Sequence, residues 1–335
     1  MTTSRRTFIQ TGSLAAVSMA AGPACVRAAD RPDSLYRGVQ LGTITYSYRS
    51  MPDQSAEALL GYIVDSGISA IELMGPPAEE YAGAPRNPVP QIGRLNFLSS
   101  QGRLSPADRE QYESLRPTYE SYVEETRRWR ASAPMNRFAE LREMYAAAGV
   151  SIYGFKPDAF ANNNTDAEVN FGFQAAKALG ASHCTVELPN DPADSLRLGR
   201  IAAQNEVAIA YHTHEQASID AFDTAFAQSP WNRSNVDLGH YVAAPNGRDP
   251  LEFLRRHHDR ISSVHLKDRQ TPENGAGNLA WGTGDTPLVE ILQMIRDEGF
   301  TFPATIEVEY AIPAGSDAVQ EVRRCLEFCK AALDA

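Results

Sequence analysis

Short runs of β-branched and other apolar residues alternate with amphipathic helical patterns from residue 38 to the C-terminus, and eight such runs can be counted. They cover 38–43, 68–73, 151–155, 182–188, 207–212, 235–238, 262–266 and 305–308, each followed by polar or glycine-rich sequence. Stretches such as 167–179, 195–204, 287–298 and 318–333 carry apolar residues at helical spacing. Gly149, Gly180 and Gly299 stand where a left-handed residue would close a helix before the next strand. A strand followed by a helix, repeated eight times, closes a parallel sheet on itself, so the alternation predicts an α/β fold, a (β/α)8 TIM barrel. An open doubly wound sheet is the competing arrangement. It calls for a glycine-rich phosphate loop after the first strand, where Gly38 and Gly42 stand alone. A chain of 335 residues, 43% hydrophobic, suits one such barrel over 36–335.

One segment breaks the alternation. Residues 76–134, after the second strand, contain Pro76-Pro77, Pro85, Pro88, Pro90, Pro106 and Pro117, and a charged helical pattern over 110–130. A connection this long in a compact domain is usually functional. It leaves the C-terminal end of the second strand, so it is expected to form a lid over the mouth of the barrel.

The N-terminus reads as an address. Arg5-Arg6 precedes the Ala-rich run from Leu14 to Ala21, and Val26-Arg27-Ala28 offers small residues for cleavage. The pattern resembles a twin-arginine signal over 1–28 and predicts a periplasmic or secreted protein. Cleavage after Ala28 removes three arginines and no acid, moving the formal charge from −11 to −14. Beyond this segment nothing is apolar for long enough to span a bilayer, and no basic block suggests nucleic acid. Cys184, Cys325 and Cys329 remain in the mature chain, too few for a disulfide framework. Composition leaves the oligomeric state open, a homo-oligomer included.

In a parallel barrel, function collects at the C-terminal ends of the strands. Glu72 ends the second strand, Glu187 the fourth, His212 and His214 the fifth. Asp237 and His240 follow on the sixth, His265, Lys267 and Asp268 on the seventh, and Glu307 and Glu309 on the eighth. Residues at i and i+2 share one side of a strand, so Glu307 pairs with Glu309 and His212 with His214. A carboxylate buried alone in a β-run is costly, and a shared cation removes that cost. Mixed carboxylate and imidazole donors suit Mn²⁺, Zn²⁺, Co²⁺ or Mg²⁺.

The stretches Tyr211-His212-Thr213-His214, Asp237-Leu238-Gly239-His240, Val264-His265-Leu266-Lys267-Asp268 and Ile306-Glu307-Val308-Glu309 resemble the sugar phosphate isomerase/epimerase family, xylose isomerase-like TIM barrels. Trp281-Gly282-Thr283-Gly284-Asp285-Thr286 is similar to its glycine-rich segment before the last strand. The resemblance covers the last two thirds of the chain. It implies four metal ligands, matched by Asp237, His265, Glu307 and either Glu187 or His212. Glu187 is taken as the fourth, with His212 as base or substrate contact; the reverse assignment stays open. Ketose epimerases carry a glutamate where this chain has His212, so a simple two-glutamate epimerisation is not expected.

The resemblance further implies a metal-dependent isomerase, epimerase or lyase acting on a carbohydrate: a sugar, keto-sugar or 3-keto-glycoside. A divalent ion would acidify the C–H beside a carbonyl for removal by His212, His214 or Glu309. His240 lines the same site. Lys267 would stabilise the developing oxyanion or pair with a nearby carboxylate such as Asp268. The alternative is an exported carbohydrate-binding protein on an inactive barrel. Replacing Arg5 and Arg6 with Lys is expected to leave the precursor in the cytoplasm, as read by cell fractionation; unchanged export would overturn the twin-arginine reading.

Overall fold

The computed structural model describes residues 31–335 apart from 101, 161–163, 215 and 248. The expected export signal lies outside the described residues. Eight parallel strands close the sheet: β1 (Val39–Ile44), β2 (Ala70–Met74), β3 (Ser151–Lys156), β4 (His183–Glu187), β5 (Ala208–His212), β6 (Asn232–Asp237), β7 (Ile261–Leu266) and β8 (Ala304–Ile306). Each pairs with the next in sequence, and β8 pairs with β1. The (β/α)8 barrel read from the alternation is the observed fold.

All eight expected strands form, with shifted edges. β6 begins at Asn232, three residues before the expected start, because Asn232-Arg233-Ser234 carries no apolar signal. Those polar groups are paid for inside: Asn232 donates to the Ser195 and Ala225 carbonyls at 3.2 and 2.8 Å. The ladder of β8 runs one residue further than its regular span, since Glu307 donates its N–H to the Leu266 carbonyl at 3.0 Å. The four expected helices form as Asp166–Leu179, Pro192–Asn205, Leu288–Asp297 and Ala318–Asp334. Gly149, Gly180 and Gly299 take φ of 85°, 77° and 67°, the left-handed conformation expected of them. The last helix turns Val322, Cys325, Leu326, Cys329 and Leu333 into the core, so its cysteines are buried as free thiols, as is Cys184. No helix among the described residues is long and apolar enough to cross a membrane.

The segment after β2 is largely helical: Gly75–Tyr81, Ile92–Ser100 and Pro106–Arg130. The last begins four residues before the expected 110, because Ser105 caps it, accepting the Asp108 N–H at 3.1 Å, and Pro106 fits its first turn. Pro117 lies inside this helix. The helix surface is mostly exposed, and its final turn docks on the helices that follow β2 and β3. Arg130 clasps Glu79 with two hydrogen bonds of 3.0 and 3.1 Å, Arg127 reaches Glu168 at 3.2 Å, and the Trp129 ring meets Phe171 edge-on. Glu79 and Arg130 are both withdrawn from water and Arg130 also lies 3.8 Å from the buried Glu168, so removing the guanidinium strands two carboxylates. Arg130→Ala is expected to lower stability by about 3 kcal/mol in urea unfolding; a loss within error of zero would show that the clasp does not hold the segment.

Candidate metal centre

β6 and β7 are in register at Asp237 and His265, and β4 and β5 at Glu187 and His212. This register carries four strand-end side chains to one place. His212, Asp237, His265 and Glu307 each present a ligand atom within 4.8 Å of the others, and all four are buried. Asp237 Oδ1 accepts the His240 backbone N–H at 2.7 Å, capping the short helix Leu238–Ala243. Among the described residues its Oδ2 has no hydrogen-bond partner; the Lys267 ammonium balances it from 2.9 Å, and the neutral His212 ring brings Nε2 to 3.8 Å.

His265 lies between two carboxylates, with Nδ1 2.6 Å from Glu307 Oε2 and Nε2 2.9 Å from Glu72 Oε2. Burial opposes its charge, but Glu72 and Glu307 outweigh burial and hold the imidazole well above the usual histidine range. His212 goes the other way: burial pulls it down to about 4, so its ring is neutral near pH 7. Lys267 contacts Asp237, Glu307 at 3.1 Å and Glu309 at 2.7 Å. Burial works against its ammonium, and these three carboxylates keep it charged. Room for this side chain comes from Gly239, where a Cβ would collide with the lysine stem and lie 2.6 Å from the Lys267 carbonyl oxygen.

Other expected residues stand around this interior. Glu187 lies outside the group of four: its oxygens take Lys156 at 2.9 Å and His214 at 3.0 Å, and its side chain is 47% exposed. Glu187, His212 and His214 form a second cluster sharing His212. Burial lowers the His214 pKa, but the hydrogen bond to Glu187 reverses this and raises it overall. His240 is pulled down to about 2 by burial, and its Nδ1 meets the Arg269 guanidinium. Its Nε2 lies 3.8 Å from Glu309.

Lys267 does not pair with Asp268. The Asp268 carboxylate instead accepts the backbone N–H groups of Gly282, Thr283 and Gly284 at 2.8, 3.0 and 2.8 Å, so the glycine-rich stretch wraps an internal anion. Sequence reasoning gave no role to Lys156, Asn235, Thr185 or Arg269. Glu72 was visible as a strand-end acid, but nothing local marked it as a partner of His265, 193 residues away. A cavity of about 660 Å³ opens at the opposite end of the barrel among Arg233, Ser262 and Phe300, away from this cluster.

The residues present fit a divalent ion: two carboxylates balance its charge, two imidazoles complete a mixed donor set, and Asp237 Oδ2 lacks a hydrogen bond. The model of xylose isomerase-like TIM barrels matches residues 118–331. The chain belongs to that family. It is 32% identical over 77 residues to an inosose dehydratase of Clostridium botulinum (strain Eklund 17B / Type B), covering 22% of this chain and 25% of that protein. Among solved structures it resembles a xylose isomerase domain protein of Planctomyces limnophilus, with TM-score 0.56 and 16% identity over 88% of this chain and 96% of that one. A 3-keto-D-glucoside 4-epimerase from E. coli also has TM-score 0.56, at 10% identity over 88% and 99% of the two chains. These two likenesses establish shared architecture.

Because the Lys267 ammonium lies against Asp237 and Glu307, it competes with any cation for their oxygens. Lys267→Gln is expected to raise affinity for Mn²⁺ by about tenfold or more, since a unit charge ~4 Å away is worth about 4 kcal/mol at an effective dielectric near 20. Titration followed by electron paramagnetic resonance reads this directly, and weaker binding by the variant would remove the competition argument.

Proposed function

We propose that this protein is a divalent-metal-dependent isomerase, epimerase or carbon–oxygen lyase acting on a carbohydrate, by proton abstraction next to a carbonyl. The observation that carries the reading is the pairing of a buried group of four donors with a partly exposed Glu187–His214 pair beside it. His212, Asp237, His265 and Glu307 would hold the ion, with His212 as the fourth ligand in preference to Glu187. When bound, such an ion polarises a carbonyl and acidifies the neighbouring C–H.

The protein groups supply the proton transfers. His214 donates Nδ1–H to Glu187, which leaves Nε2 as the basic nitrogen of a half-exposed ring. Glu187 orients the ring and stabilises its charged form after a proton is taken. Lys267, held by Glu309, offers N–H bonds to an oxygen that gains negative charge. Returning the proton to a different carbon gives isomerisation, and expelling a neighbouring hydroxyl, protonated by the His214 imidazolium that has just taken the C–H proton, gives a lyase and water. The partial likeness to an inosose dehydratase supports the lyase branch, and the 3-keto-glucoside epimerase supports a carbonyl-bearing sugar as substrate class. Export, which rests on Arg5-Arg6, belongs to the same proposal and favours neutral sugars and keto-glycosides over phosphorylated ones.

Variants separate the ion-holding and base roles. His212→Ala, His265→Ala and Glu307→Ala are expected to lose Mn²⁺ and activity together. His214→Ala should retain near-stoichiometric Mn²⁺ while losing activity roughly 10²–10⁴-fold. It should also lose exchange of the substrate C–H with deuterium from solvent. Tight binding of sugar and metal by the wild type, with no solvent exchange for any neutral sugar or keto-glycoside tried, would favour the binding-protein alternative.

A further inference from the structure

Glu72 is fully buried on β2 and stands outside the group of four donors. A carboxylate inside a barrel is costly unless its lone pairs are used. Three strands use them: Thr185 Oγ1 from β4 donates at 2.7 Å, Asn235 Nδ2 from β6 at 3.0 Å, and His265 Nε2 from β7 at 2.9 Å. We infer that Glu72 and Asn235 form a positioning pair that fixes which ring nitrogen of both His212 and His265 faces the metal site. The inference rests on the metal-centre reading above and adds residues that reading does not use.

The direction of each bond follows from what each atom can do. An ionised carboxylate only accepts, so the Asn235 atom turned to Glu72 is its amide nitrogen. The second N–H of that nitrogen is taken by Ser263 Oγ at 2.6 Å, which holds the amide in this orientation. Asn235 Oδ1 therefore faces His212 Nδ1 at 2.8 Å. That oxygen accepts only, so His212 carries its proton on Nδ1 and presents the Nε2 lone pair on the Asp237 side. The same carboxylate takes Nε2–H of His265 directly, leaving Nδ1, on the Glu307 side, as the nitrogen that would ligate. One anion thus keeps a proton on complementary ring positions: directly on His265 Nε2, whose Nδ1 would give up its own proton to a metal, and through an amide relay on His212 Nδ1. Carboxylate partners of this kind orient ligating imidazoles and raise their basicity, and their loss typically costs roughly 10- to 100-fold in metal affinity.

Two measurements test the assignment. In metal-free, ¹⁵N-labelled wild-type protein near pH 7, His212 is expected to show a pyrrole-type Nδ1 and a pyridine-type Nε2. The reverse pattern would overturn the relay whether or not the protein binds metal. In Mn²⁺ titrations, Glu72→Gln is expected to weaken binding by roughly 10- to 100-fold. Thr185→Val, which removes a donor to Glu72 but touches neither imidazole, should stay within about threefold of wild type. Equal losses in both variants would reduce Glu72 to packing, and unchanged binding by a folded Glu72→Gln protein would overturn the inference. A wild type that binds no divalent ion defeats the metal-centre reading, and the tautomer measurement still decides this one.

Discussion

The interior of this barrel depends on one constraint: charges withdrawn from water must neutralise one another. Glu72, Asp237 and Glu307 enter from three strands and would repel without the cations between them. His265 stands between Glu72 and Glu307, and Lys267 between Asp237, Glu307 and Glu309. The polar inner residues of β6 follow from this, since Asn235 both feeds Glu72 and receives His212. A core filled with aliphatic side chains at these positions would be simpler to fold. Its replacement by a closed polar network, largely satisfied, marks the strand ends as a place where stability gives way to chemistry.

The cluster is graded from inside to outside. His212, Asp237, His265 and Glu307 are sealed off, whereas Glu187 and His214 reach solvent. The grading suits a site in which deep groups hold a cation and outer groups exchange protons with substrate and water. Sealed imidazoles diverge in proton affinity according to their neighbours: His265 is pulled up by two carboxylates, and His212, beside an amide, is pulled down by burial.

The helical segment after β2 is fixed at its end by the Arg130–Glu79 clasp and the packing of Trp129. Its long exposed face contributes little core, so its attachment depends on these few contacts.

Eight strands, their order and the shared faces of i and i+2 residues were legible in the sequence because each follows from local periodicity. Glu307 and Glu309 do meet the same lysine, and His212 and His214 do lie ring to ring, 5.0 Å apart. The start of β6 was hidden, because polar strand residues give no apolar signal. The sequence also placed Asp237, His265 and Glu307 together, since strand-end position is itself a local property. It favoured Glu187 over His212 as their companion, whereas the buried donors that meet include His212, and it could not bring Glu72 to His265 or turn Lys267 away from Asp268. Those outcomes depend on the stagger between neighbouring strands and on which side chains meet across the barrel, distances set only when the sheet closes.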